Sequence, residues 1–377
     1  MTQPDSASSH PHLLGRAART HAPTTSRAER GMVLALVLVL ALLLSVSMIS
    51  FTRRAVIDAL VVNNRDDSAK ASALARGGIR VGVALLIEDR MAKNLQLFGN
   101  SNVRVTTPGN TLDDSWNRFQ DMRVTDPEGG ELRIEIRDAG ARLNLNAVVP
   151  YTGEEDRADP QAEEFLVALL EKVIDEMPID PGEKLYEPRD LARNLIDWMD
   201  PGDIRVIGGN EDEYYASQDP PYRPSNGPLL SVEELGLVEG WDVQLVEAMR
   251  HYVTVYPIAG ANGINLNTAP PHVLALIYHG SSGDKRLVDG DIVGRILRAR
   301  DDGRVVCTGS VPDQDCMTLS EVDLGEGSIF PEVSLPDESD VFTVRARARV
   351  GEIERTVMAV IDRSELTQPQ LLFWRTE

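Results

Sequence analysis

The stretch 32–51, MVLALVLVLALLLSVSMISF, limits what this chain can fold into more than any other. It runs 20 residues without a charge. At about 1.5 Å per helical residue it covers about 30 Å, the hydrocarbon thickness of a bilayer. A helix lying on a soluble core keeps a polar face, and this segment has none. Arg30 precedes it, and Arg53 and Arg54 close it, the bracket expected where charged flanks stay at two interfaces. The segment predicts a membrane anchor, with a polar leader before it and a water-soluble body after it.

The rest of the 377 residues allow one to three domains. Asp and Glu number 59 against 38 Lys and Arg, a net charge of −21. The leader, 1–31, carries Arg16, Arg19, Arg27 and Arg30 against Asp5 and Glu29, so the body is more acidic than the whole. Such a body repels nucleic acid and anionic lipid and suits bound cations. The leader arginines predict a cytoplasmic leader and a body across the membrane. Its polar, low-hydrophobicity composition predicts disorder. Cys307 and Cys316 are the two cysteines. They would be free thiols in a reducing compartment; beyond the membrane they predict a disulfide. Two sulfurs without neighbouring histidines make a poor zinc site.

Past the anchor, residues 54–98 read as the same helix continuing into water. Ala71, Leu74, Gly78, Val81 and Leu85 recur near a 3.5 spacing. Gly77 and Gly78 would let this helix approach a sheet or a neighbouring helix closely. A weak strand is expected at 103–107. A clean one follows at ELRIEIRD, 131–138, with Leu132, Ile134 and Ile136 on one face. The alternating FTVRARARV, 342–350, turns at Gly351-Glu352 and pairs back through 353–361 as a hairpin. Its outward arginines are most simply a solvated face.

Between these strand signals, 139–330 reads as short capped helices: an apolar stripe over 165–177, a capping box at Ser231-Val-Glu-Glu234, a cap at Asp242, prolines opening a helix at Thr268-Ala-Pro-Pro271, and a helix over 289–300. The fold class expected is α+β. An N-terminal transmembrane helix (32–53) follows the leader and continues into a helix plus antiparallel sheet (54–138 and 331–363). A large all-α domain (139–330) is inserted into it, and 364–377 forms a tail.

The best candidate for chemistry is the acidic run Asp197-Trp-Met-Asp200-Pro-Gly-Asp203 with Asn210-Glu-Asp-Glu213. Hard divalent cations take six to eight oxygens, which carboxylates gathered across a Gly/Pro loop supply. Asp197, Asp200, Asp203, Glu211 and Asp212 are the expected ligands of a structural calcium; the plainer reading is a solvated acidic loop. The spacing is not that of an EF-hand. The 264–270 and 292–300 segments resemble helix-hairpin-helix modules, with Arg295, Arg298 and Arg300 available for phosphate. Asp289, Asp291, Asp301 and Asp302 surround them, which weighs against DNA. His10, His12 and His21 lie in the leader. His251, His272 and His279 show neither metal-ligand spacing nor a nucleophile motif, so no enzyme is expected. Trp198, Trp241 and Trp374 read as core or covering residues.

Arg30-Gly31 before an uncharged segment, a helix running on into an α+β body, and a cytoplasmic leader together resemble the type IV pilin-like proteins. The resemblance narrows through Asp138-Ala-Gly-Ala-Arg-Leu-Asn-Leu-Asn146, Leu195-Ile-Asp-Trp-Met-Asp200, Asp219-Pro-Pro-Tyr-Arg-Pro224, Pro228-Leu-Leu-Ser-Val-Glu-Glu-Leu235, Tyr252-Val-Thr-Val-Tyr-Pro257 and Ile264-Asn-Leu-Asn-Thr-Ala-Pro270. Together these look like the K-type minor pseudopilins of type II secretion, over Arg30 to about Arg363. The resemblance implies cleavage by a prepilin peptidase after Gly31 and methylation of Met32. It also implies an inner-membrane anchor with a periplasmic body, bound calcium, and a SAM-like helical insert. The fifth residue of the mature chain, a glutamate in most pilins, is Leu36 here, and K-type members typically lack that acid. An unpaired carboxylate in a bilayer costs several kcal/mol, and a subunit with nothing above it needs none. The implied role is to cap the pseudopilus tip and initiate its assembly. Implied partners are the I- and J-type minor pseudopilins, the major pseudopilin and the peptidase, with the secretin and exoproteins as further contacts. The expected subunit contacts are the anchor and the 55–98 helix, through Gly77, Gly78 and Gly82. The alternative is a membrane-tethered helix-hairpin-helix competence protein; a third reading is an anchored hydrolase.

Overall fold

The computed structural model describes residues 27–97, 111–112, 114–118, 122–125, 127, 129–150, 160–178, 186–281, 283–307, 316–325, 329–333, 335–365 and 368–377. Most of the leader and the expected 103–107 strand lie outside the described residues. The chain divides into two compact units, Met1–Arg65 and Asp66–Glu377.

Helix α1 (Arg27–Leu97) is the longest element. In the first unit its side chains are exposed from Gly31 onward. The stretch is long and apolar enough to cross a membrane.

In the second unit the sheet has five antiparallel strands: β1 (Met122–Thr125), β2 (Glu131–Asp138), β3 (Val341–Val350), β4 (Ile353–Asp362) and β5 (Gln370–Thr376), hydrogen-bonded in the order β1-β2-β3-β4-β5. Strands β2 and β3 are distant in sequence yet adjacent in space, with Ile134 opposite Ala346 and Ile136 opposite Val344. Segment 364–377, expected as a tail, contains β5, which pairs with β4 from Val357 opposite Thr376 to Asp362 opposite Gln370. The apolar residues of QLLFWRT carry no clean alternation, because the register shifts between Val360 and Ile361, so period-2 reading misses the strand.

The same helix packs on the sheet's apolar face. Ala75, Ile79 and Leu86 share a core with Ile134, Ile136, Phe342, Val344, Ala346, Ala348 and Ala359. Small residues set the distance: a Cβ at Gly78 would sit 2.8 Å from the Ala346 Cβ, and one at Gly82 would sit 2.5 Å from the Val344 Cγ1. Gly78 and Gly82 therefore serve this subunit's own sheet, the first of the two close approaches expected for the Gly77-Gly78 pair; Gly77 faces open space. The buried stripe is Ala71, Ala75, Gly78, Ile79, Gly82 and Leu86, while Val81 is exposed. A hydrophobicity reading places Gly78 in the stripe but overweights Val81 and passes over Gly82.

Near its end α1 is fastened to the sheet by charge. Arg363, fully buried, pairs with Asp89 at 2.8 Å, donates to the Leu86 carbonyl at 2.9 Å and lies 4.3 Å from the Phe342 ring centroid.

The insert holds helices α2 (Pro160–Glu176), α3 (Pro188–Met199), α4 (Asp212–Ala216), α5 (Val243–Met249), α6 (Pro271–Leu274) and α7 (Gly290–Asp301). The predicted cap at Asp242 is present, accepting the Leu245 N–H, and Asp289 caps the helix expected over 289–300 by accepting the N–H groups of Asp291 and Ile292. The insert is not purely helical. Leu143–Asn144 pairs with Val253–Thr254, Tyr278–His279 with both Arg286–Leu287 and Ile329–Phe330, and Val305–Cys307 with Cys316–Thr318. Pairs this short give no alternation to read. Cys307 and Cys316 are joined by a disulfide, with Cα atoms 5.5 Å apart.

The two Asn-Leu-Asn segments do parallel work. Asn146 donates to the carbonyls of Leu229 and Val255 and accepts the Leu229 N–H. Asn267 donates to the Val306 carbonyl and accepts its N–H at 2.8 Å. In each segment the first asparagine accepts the N–H of the second. Buried amides of this kind hold irregular backbone together where no ladder reaches.

Asp138, at the end of β2, joins sheet to insert. Its Oδ2 accepts from Thr268 Oγ1 at 2.5 Å, Ser339 Oγ at 2.8 Å and Asn265 Nδ2 at 3.2 Å, and its Oδ1 accepts the Gly140 N–H at 2.7 Å. Burial pushes its pKa up, against those hydrogen bonds.

Candidate functional site

Asp197 is placed by the last turn of α3, and Asp200 is the residue that ends the helix. A helix C-terminus carries partial negative charge, so two carboxylates there are unfavourable without a cation. The chain then loops back. Asp200 Oδ1 accepts the Gly202 N–H at 3.2 Å, and Asp197 Oδ1 accepts the Val206 N–H at 2.7 Å. Ile204 bridges Asn210 across a turn whose Gly208 and Gly209 have positive φ. That return delivers Glu211 to the base of the loop, just before α4.

One carboxylate oxygen each from Asp197, Asp200 and Glu211 lies within 4.8 Å of the other two. Two oxygens bound to one calcium at 2.3–2.6 Å are at most about 5 Å apart, so the three fit a single ion. Glu211 is 1% exposed, and neither of its carboxylate oxygens has a hydrogen-bond partner. A buried carboxylate left in this way costs several kcal/mol unless it is protonated or meets a cation. Its pKa is pushed up to about 8, first by burial and then by the charges of Asp200, Asp197 and Asp203. Burial and Asp200 push Asp197 up to about 6, against its bond to the Val206 N–H. Asp200 is raised as well, by burial. These residues suit a hard divalent cation and lack the nucleophile–base geometry of a hydrolase.

Of the five acids expected as ligands, Asp203 and Asp212 do not join this group. Asp203 is exposed; its backbone carbonyl accepts the Glu211 N–H at 3.4 Å. Asp212 sits in the first turn of α4, where the helix dipole favours it. Asn226, which sequence reading passes over, locks the loop. Its N–H donates to the Trp198 carbonyl and its Nδ2 to the Gly202 carbonyl, while its Oδ1 is buried without a partner. The Ser-Asn-Gly turn that supplies it, with φ 43° at Asn226, is the signal that could have found it. Trp198 stacks edge-on with Tyr215 at 5.2 Å beneath the acids, a core role.

The arginines offered to DNA are largely committed elsewhere. Arg300 donates to the carbonyls of Leu266 and Ala269, and Arg295 pairs with Asp323 at 2.7 Å. Among the three, Arg298 is the exposed one. Asn265 and Asn267 are buried, not presented to a ligand.

A long N-terminal helix with an uncharged stretch at 32–51, packed later on an antiparallel sheet into which an acid-rich domain is inserted, defines a pilin-like subunit with an accessory domain. A family profile described as type II secretion system protein K matches residues 141–258. The type II secretion system protein K of Klebsiella pneumoniae is 29% identical over 250 residues, 66% of this chain and 69% of that protein. Its Pseudomonas aeruginosa counterpart is 30% identical over 222 residues, 57% of this chain and 58% of that one. The fold matches a chain in the crystal structure of the GspK-GspI-GspJ complex from enterotoxigenic Escherichia coli, with a TM-score of 0.60 and 21% identity over 84% of this chain and 99% of that one. By these comparisons the chain is similar to the type II secretion system protein K family. Its members are minor pseudopilins, and none of these comparisons supports the competence-protein alternative.

Proposed function

We propose that this protein caps the tip of the periplasmic pseudopilus and helps initiate its assembly for export across the outer membrane. The anchor sits in the inner membrane with the body in the periplasm. Cleavage after Gly31 and methylation of Met32 precede assembly. The observation that carries the reading is the fold match over 84% of this chain to one chain in the structure of the GspK-GspI-GspJ complex. Two features of the chain support the tip position. The insert between Asp138 and Val341 is too bulky for the interior of a thin filament. Leu36 cannot attract the amino terminus of a subunit above it, as an acid there would.

The protein's role is structural rather than enzymatic, and its partners are the I- and J-type minor pseudopilins, then the major pseudopilin. Asp197, Asp200 and Glu211 would hold calcium, which neutralises the crowded carboxylates and ties the 200–211 loop to α3. Secretin and exoproteins are further candidate contacts; nucleic acid is not. Co-expression of the full chain with tagged I- and J-type subunits in membranes tests the reading. Recovery of all three together is expected. Recovery of I and J as a pair that leaves this chain behind would overturn it.

A further inference from the structure

A cavity of about 210 Å³ lies where the outer face of the sheet meets the insert. Strands β2 and β3 bring Arg137 and Arg345 to it, on neighbouring rows of the ladder. Arg142 enters from the turn after β2, and Arg250 and Thr254 from the insert. The glutamates in the lining are already engaged. Glu233 takes Arg250 at 2.9 Å and Arg375 at 2.7 Å, and Glu247 takes Arg250 at 3.0 Å. Arg137 is paired with Glu135. Among the described residues, Arg142 and Arg345 make no ion pair. Glu135, opposite Arg345 on the ladder and paired with Arg137, is the carboxylate whose charge reaches Arg142, so three guanidiniums share one acid, an excess of positive charge out of character in a chain with 59 acids. Guanidinium forks match the planar edge of an oxyanion with two parallel N–H donors.

We propose that this cavity is a binding site for a small oxyanion, held by Arg142 and Arg345 with Arg137 beside them. Thr254, whose hydroxyl oxygen accepts the Tyr256 N–H, keeps its O–H to donate. Burial and the charges of Arg137 and Arg345 pull the Arg142 pKa down to about 10, against the charge of Glu135, which leaves it cationic at neutral pH. The oxyanion is either a free ion or a carboxylate of a docking protein.

The full-length chain in detergent is titrated with sodium sulfate, succinate and a tetraglutamate peptide, against sodium chloride at matched ionic strength. A saturating rise in melting temperature is expected, with affinity reduced about tenfold or more in Arg142→Gln and Arg345→Gln, the loss of one charge-assisted fork. Arg142→Gln should melt no lower than the parent in chloride, because it removes a buried charge crowded by Arg137 and Arg345. Peptide that competes with sulfate identifies a protein carboxylate as the source; sulfate binding alone identifies a free ion, and both uphold the site. A linear, unsaturated rise shared by parent and variants is solute exclusion and overturns the proposal, as does no rise with any of the three. Should Arg142→Gln fail to fold, the exposed Arg345→Gln carries the test, and an unchanged sulfate response there is decisive against the site.

Discussion

Glu211 is a buried carboxylate without a partner, and its pH behaviour follows from that. Its pKa rises on folding, to about 8, and that of Asp197 to about 6. A raised acid binds its proton more tightly in the folded state, so stability is greatest at low pH. It is lost as pH climbs from about 4 through those values. Without divalent cations the melting temperature should fall between pH 5 and 8, a loss of roughly 2–4 kcal/mol. Saturating calcium should reverse the fall, by about 2.7 kcal/mol at a hundredfold excess over its Kd. Its benefit should grow with pH, because the ion competes with protons. Glu211→Gln should remove most of the pH dependence and most of the calcium response; calorimetric melts with and without chelator check both. A wild-type curve rising from pH 5 to 8 without calcium would contradict the site. The acids themselves were legible in the sequence as a run. Which three converge was not, because that depends on Asn226 and on a return loop that no periodicity describes.

Helix α1 and its sheet illustrate how elements meet through what is missing. Gly77, Gly78 and Gly82 are alike in sequence and opposite in consequence. Gly77 faces open space, so Gly77→Ala should stabilise by about 0.5–1 kcal/mol through helix propensity. Gly82→Ala gains the same propensity but drives a methyl to 2.5 Å from Val344, and overpacking of about 1–3 kcal/mol should win. Urea titrations of the two variants should shift the midpoint in opposite directions. The disulfide is the second element-scale feature. Cys307→Ser with Cys316→Ser should lower stability by about 2–3 kcal/mol through the loop it leaves open, read from the same titrations. Strands β2, β3 and β4 were legible because each buries one face and alternates cleanly. β5 and the short insert pairs were not, since their pairing is fixed by neighbours distant in the chain.

At the scale of the whole second unit, one residue couples the two architectures. Asp138 ends a strand of the sheet and collects donors from residues 265, 268 and 339. Asp138→Ala would leave those buried donors unpaired, a cost of about 3–5 kcal/mol. The loss should appear in both sheet and insert, and hydrogen exchange should show protection falling in both. Loss confined to one would mean that they unfold independently. The nesting of a helical block between strands was readable because strand periodicity stops after Asp138 and resumes near Val341. The clamp was not, because a lone aspartate at a strand end looks like a turn residue.

The pilin-like reading of the whole chain rests on its amino terminus. Intact-mass analysis of the membrane-extracted protein, made with and without its prepilin peptidase, tests it most directly. With the peptidase, a chain beginning at methylated Met32 is expected, and without it a chain that retains residues 1–31. A chain that keeps those residues in the presence of active peptidase would make this an ordinary single-pass anchor, and the place at the pseudopilus tip would fall with it.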